Sequence, residues 1–255
     1  MLAIIGGSGL LQLANLDVSR REVLRTPYGE PSGAVTFGQI RGRPVAFLAR
    51  HGYGHVIPPH EVNYRANVWA LTERGARAIV AVASVGGIQP DLKPGDVVIP
   101  HQIIDYTWGR KSTYHEGRDS AVVHIDFTEP YDPGLRVRLI AAAAAAGVTV
   151  SDSAVYAVTQ GPRLETAAEI DRLERDGADV VGMTGMPEAA LAREMGVPYA
   201  AINVVANYAA GRADSRTGVR FDAIEAVLED AMSQVRAMIE KLAENWKDGD
   251  DPARS

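Results

Sequence analysis

A sequence of 255 residues, 46% of them hydrophobic, is long enough to bury one substantial core. Its net charge of −6 gives no support to a nucleic-acid partner, and the absence of cysteine excludes disulfides, thiol catalysis and thiolate metal sites. We find no signal-peptide core and no long apolar span, so we expect a cytoplasmic protein with no membrane partner.

Segments with strand and helix character alternate along the chain, which is typical of one α/β domain. Strands are predicted at residues 2–5, 44–49, 78–82, 97–99, 155–159, 179–182 and 199–206, followed in one place by an extended segment at 103–107. Helices are predicted at 63–74, at 135–146, after Thr166, from Pro187 to Gly196, and at 222–246. We expect the domain to cover residues 1–247, with a surface loop at 109–122, and residues 248–255 to be a disordered tail.

The first strand ends in Gly6-Gly7-Ser8-Gly9, whose glycines permit close approach of the backbone to a ligand. The loop lacks the third glycine of a dinucleotide fingerprint, where Gln12 stands, and it lacks the Gly-Lys-Ser/Thr ending of a P-loop. Neither dinucleotide nor Mg-ATP binding is therefore favoured.

The second predicted strand delivers Arg50 and His51 at its end, with His55 and His60 in the loop that follows. Three nearby histidines suggest a metal site, but the zincin spacing is missing and no carboxylates complete a ligand set, so we expect no metal. The planar guanidinium of Arg50 suits a phosphate, while a structural ion pair is the alternative interpretation.

Two strand-to-helix junctions between Gln160 and Leu191 carry polar side chains. Thr166 and Glu169 form a capping-box pattern, which places Glu165 in the loop just before the helix, either as a helix-dipole charge or as part of a ligand site. Met183 and Thr184 follow the next strand, where a hydroxyl either binds an anion or caps the helix. Because ligands of α/β proteins bind at strand ends, we expect these side chains to converge with those at the other strand ends, Ser8, Arg50, His51, Ser84 and Asn207.

The sequence resembles the purine nucleoside phosphorylase family, in the trimeric branch of the methylthioadenosine and methylthioinosine phosphorylases. The motifs are IIGGSGL, ARHGYGH with PPHEVNYRANVWAL, ASVGGIQPDLKPGDVVIPHQIIDYT, GPRLETAAEI, and VGMTGMPEAALAREMGVPYAAINVVAN. The resemblance implies a single-domain, three-layer α/β/α fold with a central mixed, twisted β-sheet, and a homotrimer. It also implies attack of inorganic phosphate on the anomeric carbon of a purine nucleoside, with phosphate as co-substrate and no cofactor.

The family's site residues match positions of this chain. The resemblance implies a phosphate cradle made of Ser8, Arg50, His51, Ser84, the backbone of Val85, and Thr184. It places Met183 under the ribose, and Glu165, Asn207, Tyr208 and Ala209 around the base. Glu165, Asn207 and His51 are the expected catalytic residues.

Departures from the adenine-cleaving members point to a different base. Those enzymes usually have Ser at the position of Glu165, Asp at Asn207, and a second Asp at Ala209. A Glu carboxylate accepts the N1–H of a 6-oxopurine, and an Asn amide donates to O6, whereas adenine offers an unprotonated N1. An unpaired buried group costs about 1–3 kcal/mol, so the sequence predicts hypoxanthine rather than adenine as the base.

The residues at the start of the last helix indicate which substituent the sugar carries at its 5′ position. Family members that accept ordinary inosine tend to have a His there, and residues 218–222 have none, so Val219 and Phe221 are candidates to contact a methylthio group. His124 resembles a residue that reaches a neighbour's 5′ pocket across the trimer, although an ordinary surface His is the alternative.

From the base and the 5′ contacts together, we predict a methylthioinosine phosphorylase. A broad 6-oxopurine nucleoside phosphorylase, a methylthioadenosine phosphorylase, a nucleosidase and a silent nucleoside-binding module are the alternatives.

Overall fold

The computed structural model describes residues 1–117 and 121–246, in which eleven strands form one mixed β-sheet. The strands are β1 (Leu2–Gly6), β2 (Asp17–Glu22), β3 (Val35–Ile40), β4 (Arg43–Ala49), β5 (Ala78–Gly87), β6 (Val97–Val98), β7 (Gln102–Asp105), β8 (Val150–Ser151), β9 (Val155–Val158), β10 (Val180–Gly182) and β11 (Tyr199–Tyr208). The helices are α1 (Tyr64–Glu73), α2 (Pro133–Ala145), α3 (Ala167–Arg175), α4 (Glu188–Glu194) and α5 (Phe221–Glu244), with a 3₁₀ turn at Ala213–Ser215.

Strand β5 is the centre of the sheet. Strand β11 runs parallel to β5 along one edge, from the pair Tyr199 and Ile79 to the pair Tyr208 and Gly87. On the other edge, β1 runs parallel to the first half of β5, and β10 runs antiparallel to its last residues. The sheet continues from β1 to β4, β3 and β2, and from β10 to β9 and β7. Strands of both directions therefore meet at the end of β5, which brings their loops together.

Successive side chains of strand β1 pack into cores on opposite faces of the sheet. Leu2 and Ile4 pack on the side that holds α2 and α5, whereas Ala3 and Ile5 pack on the side that holds α1 and α4. This alternation is the period of two that a strand imposes, applied to a sheet buried on both faces. The expected three-layer α/β/α fold with a mixed sheet is confirmed.

The alanine run of the sequence lies in α2 and packs against α5. Ala142 and Ala143 are buried together with Leu242 and Ala243 of the last helix. Small side chains let two helix backbones come close, so close helix packing is the correct interpretation of this run. Helix α2 begins at Pro133, two residues before the predicted start, because the Asp132 side chain accepts the Leu135 N–H at 2.7 Å.

Strands β2 and β3 have no counterpart among the predicted elements, whereas β4 corresponds to the strand predicted at residues 44–49. Strand β2 reads DVSRRE, is largely exposed, and lies at the edge of the sheet, so it lacks the apolar alternation by which strands are recognised. Strands β3 and β4 are joined by Arg41 and Gly42, both with positive φ, which is the backbone of a tight hairpin turn. The predicted tail at 248–255 lies outside the described residues.

The N-terminal cap of helix α3 stabilises the start of this helix, and its contribution can be measured. The Thr166 side chain accepts the Glu169 N–H at 3.1 Å, and the Glu169 carboxylate accepts the Thr166 N–H at 2.7 Å, which confirms the predicted capping box. We expect Thr166→Ala to lower the free energy of unfolding by about 1 kcal/mol in urea titrations, because one helix N–H loses its acceptor. Thr217→Ala, at an exposed position outside any helix, is the control and should change stability little. An equal effect of the two substitutions would contradict this role of the cap.

Candidate active site

A cavity of about 700 Å³ opens where the loops after β1, β4, β9 and β10 meet the ends of β5 and β11. It is lined by most of the side chains that the sequence predicts as site residues, namely Ser8, Arg50, His51, Ser84, Val85, Glu165, Met183, Thr184, Asn207, Ala209, Val219 and Phe221. Tyr208 and His124 do not line it, and His124 is exposed. The strand-end argument therefore locates the cavity correctly, while the roles of its residues stay predictions.

Arg50 is a buried cation at the floor of the cavity. Its Nε and Nη2 donate to the two carboxylate oxygens of Glu188, both at 2.8 Å, and its Nη1 donates to the Val82 carbonyl at 2.9 Å. Burial lowers the pKa of the guanidinium, but the adjacent Glu188 carboxylate raises it further, so the net shift is upward and the charge is permanent. Three of its five N–H groups are thus engaged, which leaves two for a ligand.

Glu188 and Gly7 fix the position of this guanidinium. Glu188 begins α4, is fully buried, and also accepts the Tyr199 hydroxyl hydrogen at 2.9 Å. A Cβ at Gly7 would lie 2.9 Å from Arg50 Nη1 and 2.6 Å from the Val82 carbonyl oxygen. The structural ion pair considered for Arg50 is therefore present, and Arg50 is at the same time one of the residues that line the cavity.

His51 is held as a neutral hydrogen-bond acceptor. Its Nδ1 lies 2.8 Å from the Ile57 carbonyl, which can only accept, so this nitrogen carries the proton. Burial and the neighbouring Arg50 charge lower the pKa of His51 to about 4. At neutral pH its Nε2 consequently has a free lone pair. The ring of His55 lies 4.7 Å from that of His51, and His55 Nε2 is 2.7 Å from the Ser8 hydroxyl.

Glu165 and Asn207 face the cavity from two different strand ends. Glu165 lies in the loop before α3, as predicted, and accepts a hydrogen bond from the Thr159 hydroxyl at 2.5 Å. Asn207 follows a β-bulge in β11, where Val205 pairs with Val85 and Asn207 already pairs with Gly86. Because the extra residue breaks the alternation of side chains, Ala206 and Asn207 both line the cavity. The Asn207 Nδ2 donates to the Tyr208 carbonyl at 2.6 Å, which orients the amide.

Arg110 joins the two junctions that carry Glu165 and Met183, and no pattern in the sequence predicts this contact. The guanidinium donates to the backbone carbonyls of Thr159, Gln160, Met183 and Met186, to the Gln160 side-chain oxygen, and to the Tyr64 hydroxyl. Gly161 also permits this arrangement, because a Cβ there would lie 2.4 Å from the Met183 sulfur. The surface loop that starts at Gly109 is thus part of the scaffold of the cavity.

Part of the cavity lining is apolar. Val219 contributes to it together with Phe221, Ile224 and Leu228 of α5. Sequence reasoning assigned Ile224 and Leu228 to the core because of their helical spacing, and Leu228 belongs to both the core and the cavity. The loop at 55–59 also lines the cavity and was missed, although its Gly and Pro content marked it as irregular backbone beside Arg50.

Comparison with known proteins identifies the family. A model described as phosphorylase superfamily matches residues 1–244. The chain belongs to the phosphorylase superfamily. This phosphorylase is 54% identical over 240 residues to a protein of Pseudomonas syringae pv. tomato named probable S-methyl-5′-thioinosine phosphorylase, covering 94% of this chain and 97% of that protein. It is 50% identical over 215 residues to a 6-oxopurine nucleoside phosphorylase of Pyrococcus furiosus, covering 82% and 80%.

A solved structure supports the same assignment. The methylthioadenosine phosphorylase of Schistosoma mansoni in complex with adenine superposes with a TM-score of 0.91 at 32% identity, covering 95% of this chain and 90% of that one. In residues 1–117 and 121–246, no helix of the phosphorylase is long and apolar enough to cross a membrane, and no three His, Asp or Glu side chains gather as metal ligands would.

The ion pair beneath the cavity gives a testable consequence. Glu188→Gln should lower the free energy of unfolding by about 3–5 kcal/mol, because it leaves the buried Arg50 charge without a counter-ion. Urea titration of the variant measures this change. The matched control is Glu240→Gln, whose partner Arg41 is exposed, and we expect it to cost less than about 1 kcal/mol. A loss of stability at Glu188 no larger than that of the control would show that the pair does not hold the site together.

Proposed function

We propose that the protein catalyses phosphorolysis of 5′-methylthioinosine to hypoxanthine and 5-methylthioribose 1-phosphate. The observation that carries this proposal is that Glu165 and Asn207 line the same cavity as the residues of the expected phosphate cradle. Names of relatives agree with it, since proteins of Pseudomonas syringae pv. tomato and Xanthomonas campestris at 54% identity are both named probable S-methyl-5′-thioinosine phosphorylase.

The cradle supplies the groups that a phosphate nucleophile needs. Arg50 provides a permanent charge and two N–H groups that Glu188 and Val82 do not use. His51, neutral with a lone pair on Nε2, accepts a hydrogen bond from a protonated phosphate oxygen. Ser8, Ser84 and Thr184 add hydroxyl groups. Fixed donors of this kind orient phosphate toward the anomeric carbon as the sugar becomes oxocarbenium-like, so no protein nucleophile is required.

The base side stabilises the leaving purine. Cleavage of the glycosidic bond leaves negative charge on the purine, which the second N–H of the Asn207 amide can bind at O6 or N7. The Glu165 carboxylate, held by Thr159 through one oxygen, has its other oxygen free to accept the N1–H of hypoxanthine. The bases of inosine, guanosine and methylthioinosine share this donor, and adenine does not.

The sugar's 5′ substituent meets the apolar part of the cavity lining. Val219, Phe221, Ile224 and Leu228 present hydrocarbon surface there, which favours a methylthio group over a hydroxyl that would need a partner. The Phe221 side chain is 70% exposed in the single chain, which leaves room for a residue of a neighbouring subunit to complete this part of the cavity.

The proposal includes a homotrimer, in which His124, exposed in the single chain, reaches the 5′ pocket of a neighbouring subunit. It also includes a cytoplasmic location and the absence of any cofactor besides the phosphate co-substrate.

A broad 6-oxopurine nucleoside phosphorylase is the second candidate. It is favoured by the 50% identity to the Pyrococcus furiosus protein of that name. Both candidates use the same base contacts and differ only at the 5′ end, where the apolar lining favours the methylthio substrate.

A substrate panel with and without phosphate tests the proposed function. We expect phosphate-dependent release of hypoxanthine from methylthioinosine, with kcat/KM at least about tenfold above that for methylthioadenosine, since one unpaired buried contact costs about 1–3 kcal/mol. Ultraviolet detection of the released base gives both rates. Comparable turnover of inosine and guanosine would establish the second candidate instead, and equal or better turnover of methylthioadenosine would refute the base assignment.

Substitution of Glu165 and Asn207, the residues proposed to bind the base, gives an independent prediction. Glu165→Gln should lower turnover of 6-oxopurine nucleosides sharply with the fold intact, because the amide cannot replace the charged acceptor. The double variant Glu165→Ser with Asn207→Asp should move preference toward adenine nucleosides. Far-ultraviolet circular dichroism checks folding, and kcat/KM for methylthioinosine and methylthioadenosine gives the preference. If the ratio stays at its wild-type value in the double variant, other residues set the base specificity.

A further inference from the structure

Thr159, at the end of β9, makes the short hydrogen bond to Glu165. Its Oγ1 lies 2.5 Å from Glu165 Oε1 and 3.3 Å from the Gly182 carbonyl oxygen. A threonine hydroxyl has one hydrogen to donate, and both neighbours are acceptors. The shorter distance assigns this hydrogen to the carboxylate.

The backbone of Thr159 is fixed by the sheet and by Arg110. Its N–H donates to the Gly182 carbonyl at 2.8 Å, and its carbonyl accepts from Arg110 Nη2 at 3.3 Å. A β-branched side chain adds a restricted rotamer to this fixed backbone. The hydroxyl is therefore a donor in a constant position, whereas Glu165 lies in a loop and depends on its partner for orientation.

Among residues 1–117 and 121–246, no Lys, Arg or His nitrogen lies within 4.0 Å of the Glu165 carboxylate as an ion-pair partner. Arg163, two residues earlier, is engaged by the Glu169 carboxylate through both terminal nitrogens at 2.8 Å. The hydrogen bond that the structure gives to the Glu165 side chain is the one from Thr159. A carboxylate accepts hydrogen bonds and donates none, so the oxygen that Thr159 does not hold can serve only as an acceptor.

We propose that Thr159 is a specificity-determining positioning residue, which acts through Glu165 to select 6-oxopurine over 6-aminopurine nucleosides. By holding Oε1, it leaves Oε2 as a fixed acceptor for a base that carries a proton on N1. An adenine base presents a lone pair at N1, which this acceptor disfavours. The inference rests on the proposed base-binding role of Glu165 and adds to it the residue that makes the contact selective.

The experiment compares Thr159→Val with Thr159→Ser. Valine keeps the shape and removes the donor, and serine keeps the donor. We expect Thr159→Val to lower the ratio of kcat/KM for methylthioinosine over methylthioadenosine by about tenfold, through loss on methylthioinosine, since the cost corresponds to one charge-assisted hydrogen bond. Thr159→Ser should stay within about threefold of the wild-type ratio. Thr72→Val, which removes a hydroxyl bonded to the Val68 carbonyl within α1, is the matched control and should leave the ratio unchanged.

Two further measurements separate positioning from a structural role. Calorimetric binding of hypoxanthine should weaken in Thr159→Val while adenine binding does not, and this readout needs no turnover. In the Glu165→Gln background, Thr159→Val should cause little further loss, because the two residues act on one contact. An unchanged substrate ratio, an equal loss on both substrates, or full additivity with Glu165→Gln would each overturn the inference.

The wild-type data keep the two proposals apart. The wild-type preference between methylthioinosine and methylthioadenosine decides the proposed function. The role of Thr159 is decided by a quotient, which is the ratio of kcat/KM for these two nucleosides in Thr159→Val divided by the same ratio in the wild type. A wild-type enzyme without preference therefore refutes the function and leaves the quotient meaningful, while a preference that Thr159→Val does not alter refutes only the inference.

Discussion

The ion pair between Arg50 and Glu188 is the interaction on which the rest of the cavity depends. It joins the loop after β4 to the first residue of α4, and the Tyr199 hydroxyl ties both to β11. Arg50 is 1% exposed and Glu188 is fully buried, so each charge requires the other. Elements distant in sequence are thereby held at one point beside the cavity, which Arg50 itself lines.

This pair also explains how a chain with a net charge of −6 can hold an anion. The Glu188 carboxylate keeps Arg50 charged, while burial and the Arg50 charge itself keep His51 neutral by lowering its pKa to about 4. One permanent cation and one neutral acceptor thus lie side by side. Such a pairing suits a partly protonated phosphate better than two cations would, because it offers both donors and an acceptor.

The α/β class and the position of the cavity could be predicted from local patterns in the sequence, while the three-layer fold with a mixed sheet was implied by the family resemblance. Buried strands such as β1 and β5 are recognised by their apolar runs, and the residues after them must lie at the strand ends. What could not be predicted depends on contacts between distant segments. The partner of Arg50 lies 138 positions away, and the bulge before Asn207 is visible only in the pairing of β11 with β5. Edge strand β2 was missed for another reason, since its charged residues protect an exposed edge and carry no core pattern.

Arg110 has a consequence for how this cavity can change during evolution. Four of its acceptors are backbone carbonyls, at positions 159, 160, 183 and 186, and backbone carbonyls are present whatever residue occupies a position. The four carbonyl contacts in the frame that joins the two junctions therefore do not depend on which side chains stand at these positions. Residues such as Glu165 and Met183 can be replaced without dismantling that frame. A scaffold of this kind lets substrate preference diverge by single substitutions while the architecture is inherited intact.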